Sequence, residues 1–545
     1  MPVDRAEKLH RLQHQSFDVL IIGGGITGAG IARELALRGL KVALVDKGDF
    51  AGGTSSRSTK LIHAGLRYLE GGRLGLVHES CRERRLLQKL APHLVRPLPF
   101  LIPGYRGDRR PFWMIRAGLT LYDLLALGQN ARRHQLCAPG ELAEAEPCLK
   151  QEGLVGAARY WDCRMDDARL CLENILAAEN LGAVCLNHVA VEGLIRRGSR
   201  IGAAAVRDLE SGRQTEVAAR MVVNAAGPWL DRVRRLAGLT APSLRPTRGT
   251  HILVPRINRR EEAFYLSSGR DDRLFFVIPW GEMSLIGTTD VDFDRSPDLV
   301  SPVPEDITYL IEESNRRLRD CRLRQQDVIA AFAGLRPLVR DGDGPASRVS
   351  REYRILQEID GLLSVAGGKY TTYRALAARV GRLVCRHLGW HGKDGLSARV
   401  PLPGGAVGDF AEFRTRWTSR LQRLGLGPEQ AAPLVDRYGA RVTRLEELLL
   451  TDTGLCRPLA DDSPLLTGEV VFAARFEAAR TPGDILRRRT TRALEPGQGL
   501  ADLEATCRLL AAELGVGPDT VEQWKTDYLS REICSLPTDT GETDR

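Results

Sequence analysis

The feature that most constrains the fold of this chain is a glycine-rich turn near its amino terminus. Residues 17–22 read FDVLII, an apolar run typical of a buried parallel strand. A helix is predicted over residues 29–38, and a second strand over residues 41–45. Three glycines in the spacing Gly-x-Gly-x-x-Gly follow the first strand: Gly23, Gly25 and Gly28. This order predicts a Rossmann-type unit that binds a dinucleotide.

Each residue of this turn has a physical role in such a unit. Gly23 permits the tight turn, Gly25 lets the backbone approach a pyrophosphate, and Gly28 lets the helix pack closely on the strand. The amino terminus of the helix offers free N–H groups to the phosphate charge. Asp46, which follows the second strand, can accept hydrogen bonds from an adenosine ribose.

Two later segments favour FAD over NAD as the dinucleotide. Residues 221–226 read MVVNAA, a predicted strand that is followed by Gly227. Residues 361–366 read GLLSVA, a predicted strand that is followed by a Gly-Gly pair and a helix predicted over residues 371–388. A Gly-Gly turn at such a helix start can meet a flavin ring and stabilise negative charge on it. The alternative is two ordinary glycine-rich turns, each between a strand and a helix.

Length and composition limit the class of protein. A chain of 545 residues exceeds what one hydrophobic core usually organises, which predicts two or more domains. The 11 cysteines never occur as Cys-x-x-Cys, so we expect no disulfide framework, no metal site and a reducing compartment. The sequence shows neither a signal peptide nor an apolar run of membrane-spanning length. This pattern predicts a protein that is cytoplasmic or lies against the cytoplasmic face of a membrane.

The net charge of +9 is compatible with several partners. No zinc finger, basic zipper or aromatic RNA-binding strand is present, so we expect no nucleic-acid partner. An anionic substrate and an anionic membrane surface both stay open, as does the simpler interpretation of arginine-rich, solvated faces.

Longer strings of residues carry a resemblance to a known family. They are IGGGITGAG at 22–30, TSSRSTKLIHAGLRYLEGG at 54–72, DDARL at 166–170, NAAGPW at 224–229, GTHILVP at 249–255, FVIPW at 276–280, IGTTD at 286–290, AGLRPL at 333–338 and GGKYTTYR at 367–374. On these strings the chain resembles the FAD-dependent glycerol-3-phosphate dehydrogenases, within a flavoprotein group that includes D-amino-acid, sarcosine and glycine oxidases. Glu34 departs from the Asp that this family usually carries in the first helix, but the position stays acidic.

The resemblance implies a fold and a reaction. The fold is α/β: a Rossmann-type FAD-binding domain interleaved with a substrate domain built on a β-sheet, followed by an all-α C-terminal domain. The reaction is the FAD-dependent oxidation of sn-glycerol 3-phosphate to dihydroxyacetone phosphate, with electrons passed to a membrane quinone. One alternative is an oxidase that uses O2, although the inserted segment of such oxidases is not visible here. Another is a non-catalytic flavin-binding scaffold.

The residues that we expect to bind FAD lie mainly in the segments quoted above. They are Gly23, Gly24, Gly25, Ile26, Thr27, Gly28, Asp46, Lys47, Thr54, Ser55, Ser56, Ser58, Lys60, Leu61, Val189, Gly227, Gly367, Gly368, Thr371 and Thr372.

Two histidines are candidates for the catalytic base. His63 and Arg67 are four residues apart in a stretch predicted to be helical, which places them on one face, and Tyr68 follows. A neighbouring arginine favours the neutral form of a histidine, as a general base requires. His251, on a strand predicted over residues 250–255, is the rival base or an orienting partner for the substrate hydroxyl. The resemblance places His63, Arg67 and Tyr68 at the substrate, and we favour His63 as the base.

Arg336 and Lys369 are the strongest candidates for binding the substrate phosphate. Arg336 lies in an apolar stretch, and a buried arginine needs an anion, either a protein carboxylate or a bound phosphate. The resemblance implies a cationic pocket formed by Arg67, Arg336 and Lys369, with the hydroxyl of Tyr68 beside it. Lys369 directly follows the Gly-Gly turn, so we also expect it to act at the flavin and stabilise its reduced form.

Residues 105–133 interleave arginines with large apolar side chains, a pattern that suits a segment resting in a lipid headgroup layer. The alternative is an amphipathic helix packed on its own domain. Together with a quinone acceptor, the first interpretation predicts peripheral association with the inner face of a membrane.

A Pro- and Gly-containing stretch near residues 396–409 divides the chain. The predicted parts are an N-terminal extension over 1–16, an oxidoreductase domain over 17–395 with a substrate cap mainly over about 100–160 and 240–345, a helical domain over 396–534, and a disordered tail over 535–545. The helical domain includes ILRRRTTRAL at 485–494 and shows no chemistry of its own. We expect it to shield the rest of the protein or to form a homodimer.

Overall fold

Two β-sheets and a group of carboxyl-terminal helices make up the protein. The computed structural model describes residues 4–70, 72–340 and 352–533, without the side chain of Arg67. The tail predicted over residues 535–545 lies outside the described residues.

The strands of the described ranges are β1 (Phe17–Ile22), β2 (Val42–Val45), β3 (Leu61–Ile62), β4 (Val95–Tyr105), β5 (Gln135–Cys137), β6 (Leu154–Met165), β7 (Val184–Leu186), β8 (Val189–Arg197), β9 (Arg200–Asp208), β10 (Gln214–Asn224), β11 (Leu244–Pro255), β12 (Ala263–Ser267), β13 (Leu274–Trp280), β14 (Met283–Gly287), β15 (Val291–Asp292), β16 (Ala330–Val339), β17 (Arg354–Ile359) and β18 (Leu362–Ala366).

The α-helices of the same ranges are α1 (Arg5–His14), α2 (Ile26–Leu37), α3 (Arg67–Glu70), α4 (Leu74–Leu90), α5 (Phe112–Leu125), α6 (Pro139–Ala145), α7 (Asp167–Glu179), α8 (Leu230–Leu236), α9 (Pro304–Arg317), α10 (Tyr373–Leu388), α11 (Phe410–Gln422), α12 (Pro428–Tyr438), α13 (Val442–Thr451), α14 (Thr467–Phe476), α15 (Leu500–Leu514) and α16 (Pro518–Arg531). Short 3-10 turns at Thr54–Ser56 and Tyr370–Thr372 also belong to the functional region.

The first sheet is mainly parallel and contains the predicted dinucleotide unit. Its strand order is β17-β18-β10-β1-β2-β7, and β8 and β9 continue as an antiparallel extension of β10. β1 lies between β10 and β2 and is parallel to both. The predicted strand, turn, helix and strand are confirmed, although α2 begins at Ile26 instead of residue 29. This earlier start places the amino terminus of α2 directly at the glycine turn.

The second sheet is mainly antiparallel. Two of its paired strands, β11 and β16, lie beside the functional region. Its order is β15-β11-β14-β13-β12-β4-β6-β3, with β16 paired to β11 and β5 paired to β6. The pairing of β11 with β16 sets Thr247 opposite Arg336 and His251 opposite Phe332. Residues far apart in the sequence are thereby brought to one place.

The helices α11–α16 form a separate all-helical unit with two apolar cores. Buried ion pairs connect this unit to the rest of the protein: the Arg169 guanidinium lies 2.7 Å from the carboxylate of Glu477, and Arg489 lies 2.6 Å from Asp49. The predicted α/β fold with an all-α C-terminal domain is confirmed.

One local prediction is wrong. His63 does not lie in a helix with Arg67, because Leu61 and Ile62 form β3, which pairs with β6, and α3 begins only at Arg67. Gly65 lies between the two with a φ of +75°, a left-handed conformation that interrupts a helix. His63 and Arg67 therefore do not share a helix face.

Candidate active site

A cavity of about 1260 Å³ lies among the first sheet, the second sheet and the carboxyl-terminal helices. Most of the predicted FAD-binding residues border it: Gly23, Gly25, Ile26, Thr27, Asp46, Lys47, Thr54, Ser55, Ser58, Leu61, Val189, Gly227, Gly367, Gly368 and Thr371. The predicted residues that do not border it are Gly24, Gly28, Ser56, Lys60 and Thr372. Among the substrate candidates, His63, His251, Arg336 and Lys369 border the same cavity.

The glycine turn fits a dinucleotide phosphate because side chains are excluded from it. A Cβ on Gly28 would lie 1.9 Å from the carbonyl oxygen of Gly23, and a Cβ on Gly23 would lie 2.6 Å from the carbonyl oxygen of Ala225. Gly23 also has a φ of +108°, which favours glycine. The turn thus brings backbone and the start of α2 to the edge of the cavity, the arrangement that holds a pyrophosphate.

Asp46 fastens the glycine turn to the end of β2. Its carboxylate accepts a hydrogen bond of 2.6 Å from the N–H of Gly24 and one of 2.8 Å from the N–H of Gly48. Burial raises the pKa of Asp46, and these two N–H donors oppose that shift. The carboxylate borders the cavity, where it can also accept from a ribose hydroxyl.

The Gly-Gly pair reaches the cavity from β18, at the same carboxyl-terminal edge of the first sheet as the glycine turn after β1. Gly367 and Gly368 follow β18 with φ angles of +76° and +111°, and a Cβ on Gly367 would lie 2.9 Å from the carbonyl oxygen of Glu352. Backbone without side chains is therefore presented at this edge, as a planar flavin ring requires. The residues at both glycine turns therefore fit FAD.

Lys60 and Ser58 interact with a buried carboxylate that the sequence analysis did not assign. The ammonium group of Lys60 donates to Asp167 at 2.6 Å, and the Ser58 hydroxyl donates to the other oxygen of Asp167 at 2.8 Å. Asp167 lies in the quoted string DDARL, but a string does not show its partners. The three side chains tie the segment after the 3-10 turn at Thr54–Ser56 to α7.

His251 lies on β11, and its side chain is buried against neighbouring residues. Its ring stacks on Phe332 at 4.9 Å between centroids, and its Nε2 lies 2.9 Å from the hydroxyl of Thr59. Burial lowers the pKa of His251 well below its usual value, and the positive charges of Arg336 and Lys60 lower it further. The imidazole is therefore neutral at physiological pH.

Arg336 borders the cavity and is oriented by the end of β14. Its guanidinium donates to the carboxylate of Asp290 and to the hydroxyl of Thr288, both at 3.1 Å, and to the carbonyl of Thr289 at 3.2 Å. The side chain is 20% exposed and borders the cavity. Asp290 ends the quoted string IGTTD, although no role was predicted for it.

Lys369 and His63 are brought together by the turn that precedes α10. The N–H of His63 donates to the Thr371 hydroxyl at 3.2 Å, and that hydroxyl lies 3.0 Å from the His63 carbonyl and donates to it. The ammonium group of Lys369 lies 3.7 Å from the ring centroid of Tyr68, a cation–π contact. Tyr68 does not border the cavity, and the side chain of Arg67 lies outside the described part of the structure.

The carboxyl-terminal helices supply a wall of the cavity that sequence reasoning missed. The wall residues are Thr481, Pro482, Gly483, Asp484, Arg488, Trp524, Asp527, Tyr528, Ser530, Arg531 and Glu532. Arg57 borders the same cavity, and burial lowers the pKa of Arg57 to about 10, against the opposing effect of Glu532. No local signal in this helical region points to a cavity, because the wall forms only when the unit docks.

A cluster of Asp49, His188 and Asp484 lies near this wall, with possible ligand atoms within 4.8 Å of one another. Arg488 donates to both carboxylates at 2.7 Å, and Arg489 also donates to Asp49. The cluster is therefore an ion-pair network that joins the oxidoreductase part to the carboxyl-terminal helices.

Comparison with known protein families shows the class to which this protein belongs. A family model described as FAD dependent oxidoreductase matches residues 18–374, and a model described as the C-terminal domain of alpha-glycerophosphate oxidase matches residues 396–521. The fold and the cavity are those of a flavin-dependent oxidoreductase.

Individual relatives identify the family within this class. The chain is 38% identical over 539 residues to Glycerol-3-phosphate dehydrogenase 2 of Mycobacterium tuberculosis, and the alignment covers 97% of this chain and 90% of the relative. It is 35% identical over 491 residues to the Aerobic glycerol-3-phosphate dehydrogenase of Staphylococcus haemolyticus, with 88% and 87% covered. The solved glycerol-3-phosphate dehydrogenase from Bacillus halodurans, complexed with FAD, matches with a TM-score of 0.82 at 28% identity and 97% coverage of each chain. This chain belongs to the FAD-dependent glycerol-3-phosphate dehydrogenase family, which confirms the predicted resemblance and cofactor.

Proposed function

We propose that this protein oxidises sn-glycerol 3-phosphate to dihydroxyacetone phosphate and passes the electrons to a membrane quinone. The observation that carries the proposal is one cavity with two chemically different regions: a glycine cradle for FAD, and a polar region containing His63, His251, Arg336 and Lys369. When bound, FAD supplies the acceptor for the hydride from the substrate carbon.

The polar region is suited to a phosphorylated alcohol. Arg336 and Lys369 supply positive charge for a phosphate, and each charged contact contributes about 1.5–3 kcal/mol. Asp290 fixes the guanidinium of Arg336 before an anion binds, so that less orientation is lost on binding. His63 and His251 border the same cavity, where a neutral imidazole can accept the proton of the substrate hydroxyl. Holding the phosphate positions the reacting carbon for hydride transfer.

The test is anaerobic mixing of the FAD-loaded protein with glycerol 3-phosphate. Bleaching of the long-wavelength flavin absorbance is expected, and glycerol at the same concentration should produce far less because it lacks the phosphate. A non-catalytic flavin-binding scaffold predicts no bleaching with either compound. Absence of bleaching by glycerol 3-phosphate in a fully loaded protein would reject the proposal.

The acceptor is tested separately. A quinone-linked dehydrogenase should reduce a short-chain ubiquinone analogue in the presence of glycerol 3-phosphate and form little hydrogen peroxide. The relatives described above carry the name dehydrogenase and not oxidase, which favours an acceptor other than O2. Stoichiometric peroxide in air would identify the O2-using alternative instead.

The proposed membrane face is α5 and the segment after it. Trp113, Leu124 and Leu127 are 68%, 66% and 72% exposed, whereas Leu119 and Tyr122 on the other side of the helix are buried. Exposed arginines lie in the same region: Arg109, Arg116, Arg132 and Arg133. Apolar side chains beside cations suit an anionic lipid surface. None of the helices in the described ranges combines the length and apolarity needed to cross a membrane.

Sedimentation with vesicles of anionic phospholipid at low salt tests this face. The double change Trp113→Ala and Leu124→Ala should reduce the bound fraction, whereas Leu450→Ala, an equally exposed leucine on α13, should not. Complete recovery of the parent protein in the supernatant would reject the membrane proposal.

The proposed homodimer is tested by sedimentation velocity, where a monomer at micromolar concentration would contradict it.

A further inference from the structure

The imidazole of His251 has a single polar contact among the described residues. That contact joins Nε2 to the hydroxyl of Thr59 at 2.9 Å, whereas Nδ1 is buried without a hydrogen-bond partner there. His251 is only 2% exposed, although it borders the cavity. Thr59 borders the same cavity but was not among the residues predicted to act in it.

The remaining contacts of the ring are not polar. One face stacks on Phe332 at an interplanar angle of 14°, and Phe332 in turn lies 5.4 Å from the guanidinium carbon of Arg487 and 5.7 Å from the ammonium group of Lys60. The ring edge faces Gly287, where a Cβ would lie 2.2 Å from Cδ2 of the ring. These contacts fix the plane of the ring but do not distinguish its two orientations, which are related by a 180° rotation about the Cβ–Cγ bond.

We propose that Thr59 is a positioning residue that fixes the rotation of the His251 ring. The Thr59 hydroxyl can donate to Nε2 or accept from it, so it holds this nitrogen in place in either tautomer, whereas a ring turned by 180° about the Cβ–Cγ bond would place Cε1 against the hydroxyl. The ring therefore keeps one orientation beside the cavity that it borders. The expected fall in kcat rests on the proposed function. The contact between Thr59 and His251 does not depend on the reaction.

The first experiment measures turnover in three variants. Thr59→Val keeps the shape of the side chain but removes the hydroxyl, and kcat should fall about tenfold with little change in KM. Thr59→Ser restores the hydroxyl and should recover most of the activity. In a His251→Gln background, Thr59→Val should have little further effect, because the two residues act as one unit. Thr506→Val, which removes a buried hydroxyl bonded to a backbone carbonyl in α15, is the matched control and should leave kcat unchanged.

The second experiment needs no turnover. In the FAD-loaded protein with labelled histidine, the NMR resonances of His251, identified by their loss in His251→Gln, should form one sharp set in the parent and in Thr59→Ser. Two sets or exchange-broadened resonances are expected in Thr59→Val, because the ring then occupies both orientations. The same single sharp set in Thr59→Val, or a loss of kcat that serine does not rescue, would overturn the inference. If the parent protein oxidises no glycerol 3-phosphate but the NMR result holds, the proposed function fails and the positioning role stands.

Discussion

At the residue scale, the pairing of Arg336 with Asp290 gives the phosphate proposal a measurable consequence. Arg336→Leu removes the guanidinium that pairs with the Asp290 carboxylate, whose side chain is 10% exposed. Losing one charged contact of about 1.5–3 kcal/mol should lower kcat/KM for glycerol 3-phosphate about 10- to 100-fold. Steady-state kinetics of the purified variant measure kcat/KM. Its flavin absorbance measures the amount of bound FAD, which should be unchanged.

A matched control is available on the neighbouring strand. Arg245 also pairs with an aspartate, Asp292, but does not border the main cavity, so Arg245→Leu should leave kcat/KM nearly unchanged. Loss of FAD from Arg336→Leu with turnover per bound flavin intact would contradict the assignment of Arg336 to the substrate.

The same scale shows what a single sequence can predict about a site. His63, His251, Arg336 and Lys369 were selected from family strings, and the structure brings all four to one cavity. Their partners were not predicted. Asp290 meets Arg336 because β11 pairs with both β14 and β16, and no local pattern reports that register. Thr59 contacts His251 across 192 residues of sequence, a separation that no local pattern spans.

At the element scale, the turn between β1 and α2 is the most sensitive point of the cofactor region. Gly28→Ala would place a methyl group 1.9 Å from the Gly23 carbonyl oxygen, so the turn must move. Overpacking of this kind usually costs about 1–3 kcal/mol, and the displaced turn should also weaken FAD binding. Flavin content after purification and the thermal midpoint measure both effects.

Gly118→Ala in α5 is the control for this change, because a Cβ there meets nothing within 4 Å. It should retain full flavin content. A Gly28→Ala protein with normal flavin content and an unchanged midpoint would show that the turn tolerates a side chain.

The ion pair between α7 and the residue after α14 gives a pH prediction. The neighbouring arginines lower the pKa of Glu477 from 4.5 to about 2, although burial alone acts in the opposite direction. A carboxylate with a depressed pKa stabilises the folded protein above its unfolded pKa, and this stabilisation is lost as the pH falls from 4.5 towards 2. Glu477→Gln leaves Arg169 buried without its charge partner, which should cost about 3–5 kcal/mol at pH 7.

Urea unfolding of the parent and of Glu477→Gln between pH 7 and pH 3 tests this. The difference between their midpoints should be largest near neutrality and should narrow below pH 4.5. A difference that stays constant down to pH 3 would mean that the charge of Glu477 is not the source of the stabilisation.

Local patterns predicted several strands and helices of the first sheet but failed where tertiary pairing decided the outcome. The first strand and the strand before the Gly-Gly turn were predicted because their apolar runs are bounded by glycines. The helix predicted to contain His63 and Arg67 was wrong, since β3 pairs with β6 and removes Leu61 and Ile62 from any helix. Helical spacing alone cannot detect such a competing partner.

At the scale of the whole molecule, the cavity depends on three parts of the chain that meet only in the folded protein. The first sheet supplies Asp46, the second supplies Arg336, and the carboxyl-terminal helices supply Arg488 and Glu532. Sequence reasoning predicted the first two contributions because motifs mark them. The third lacks a motif, since docking of the helices creates it through ion pairs such as Asp49 with Arg489.

This shared cavity predicts that FAD stabilises the carboxyl-terminal helices as well as the Rossmann-type unit. A ligand at 100 times its Kd stabilises the folded form by about 2.7 kcal/mol, and every element whose opening disrupts the site gains protection. Hydrogen exchange followed by mass spectrometry on FAD-loaded and FAD-depleted protein should therefore show slower exchange with FAD at the turn before α2 and also in α16. The helices α11 and α12, which contribute no residue to the cavity wall, are the internal reference and should change least. Protection confined to residues 17–395 would mean that the carboxyl-terminal wall opens independently of the cofactor.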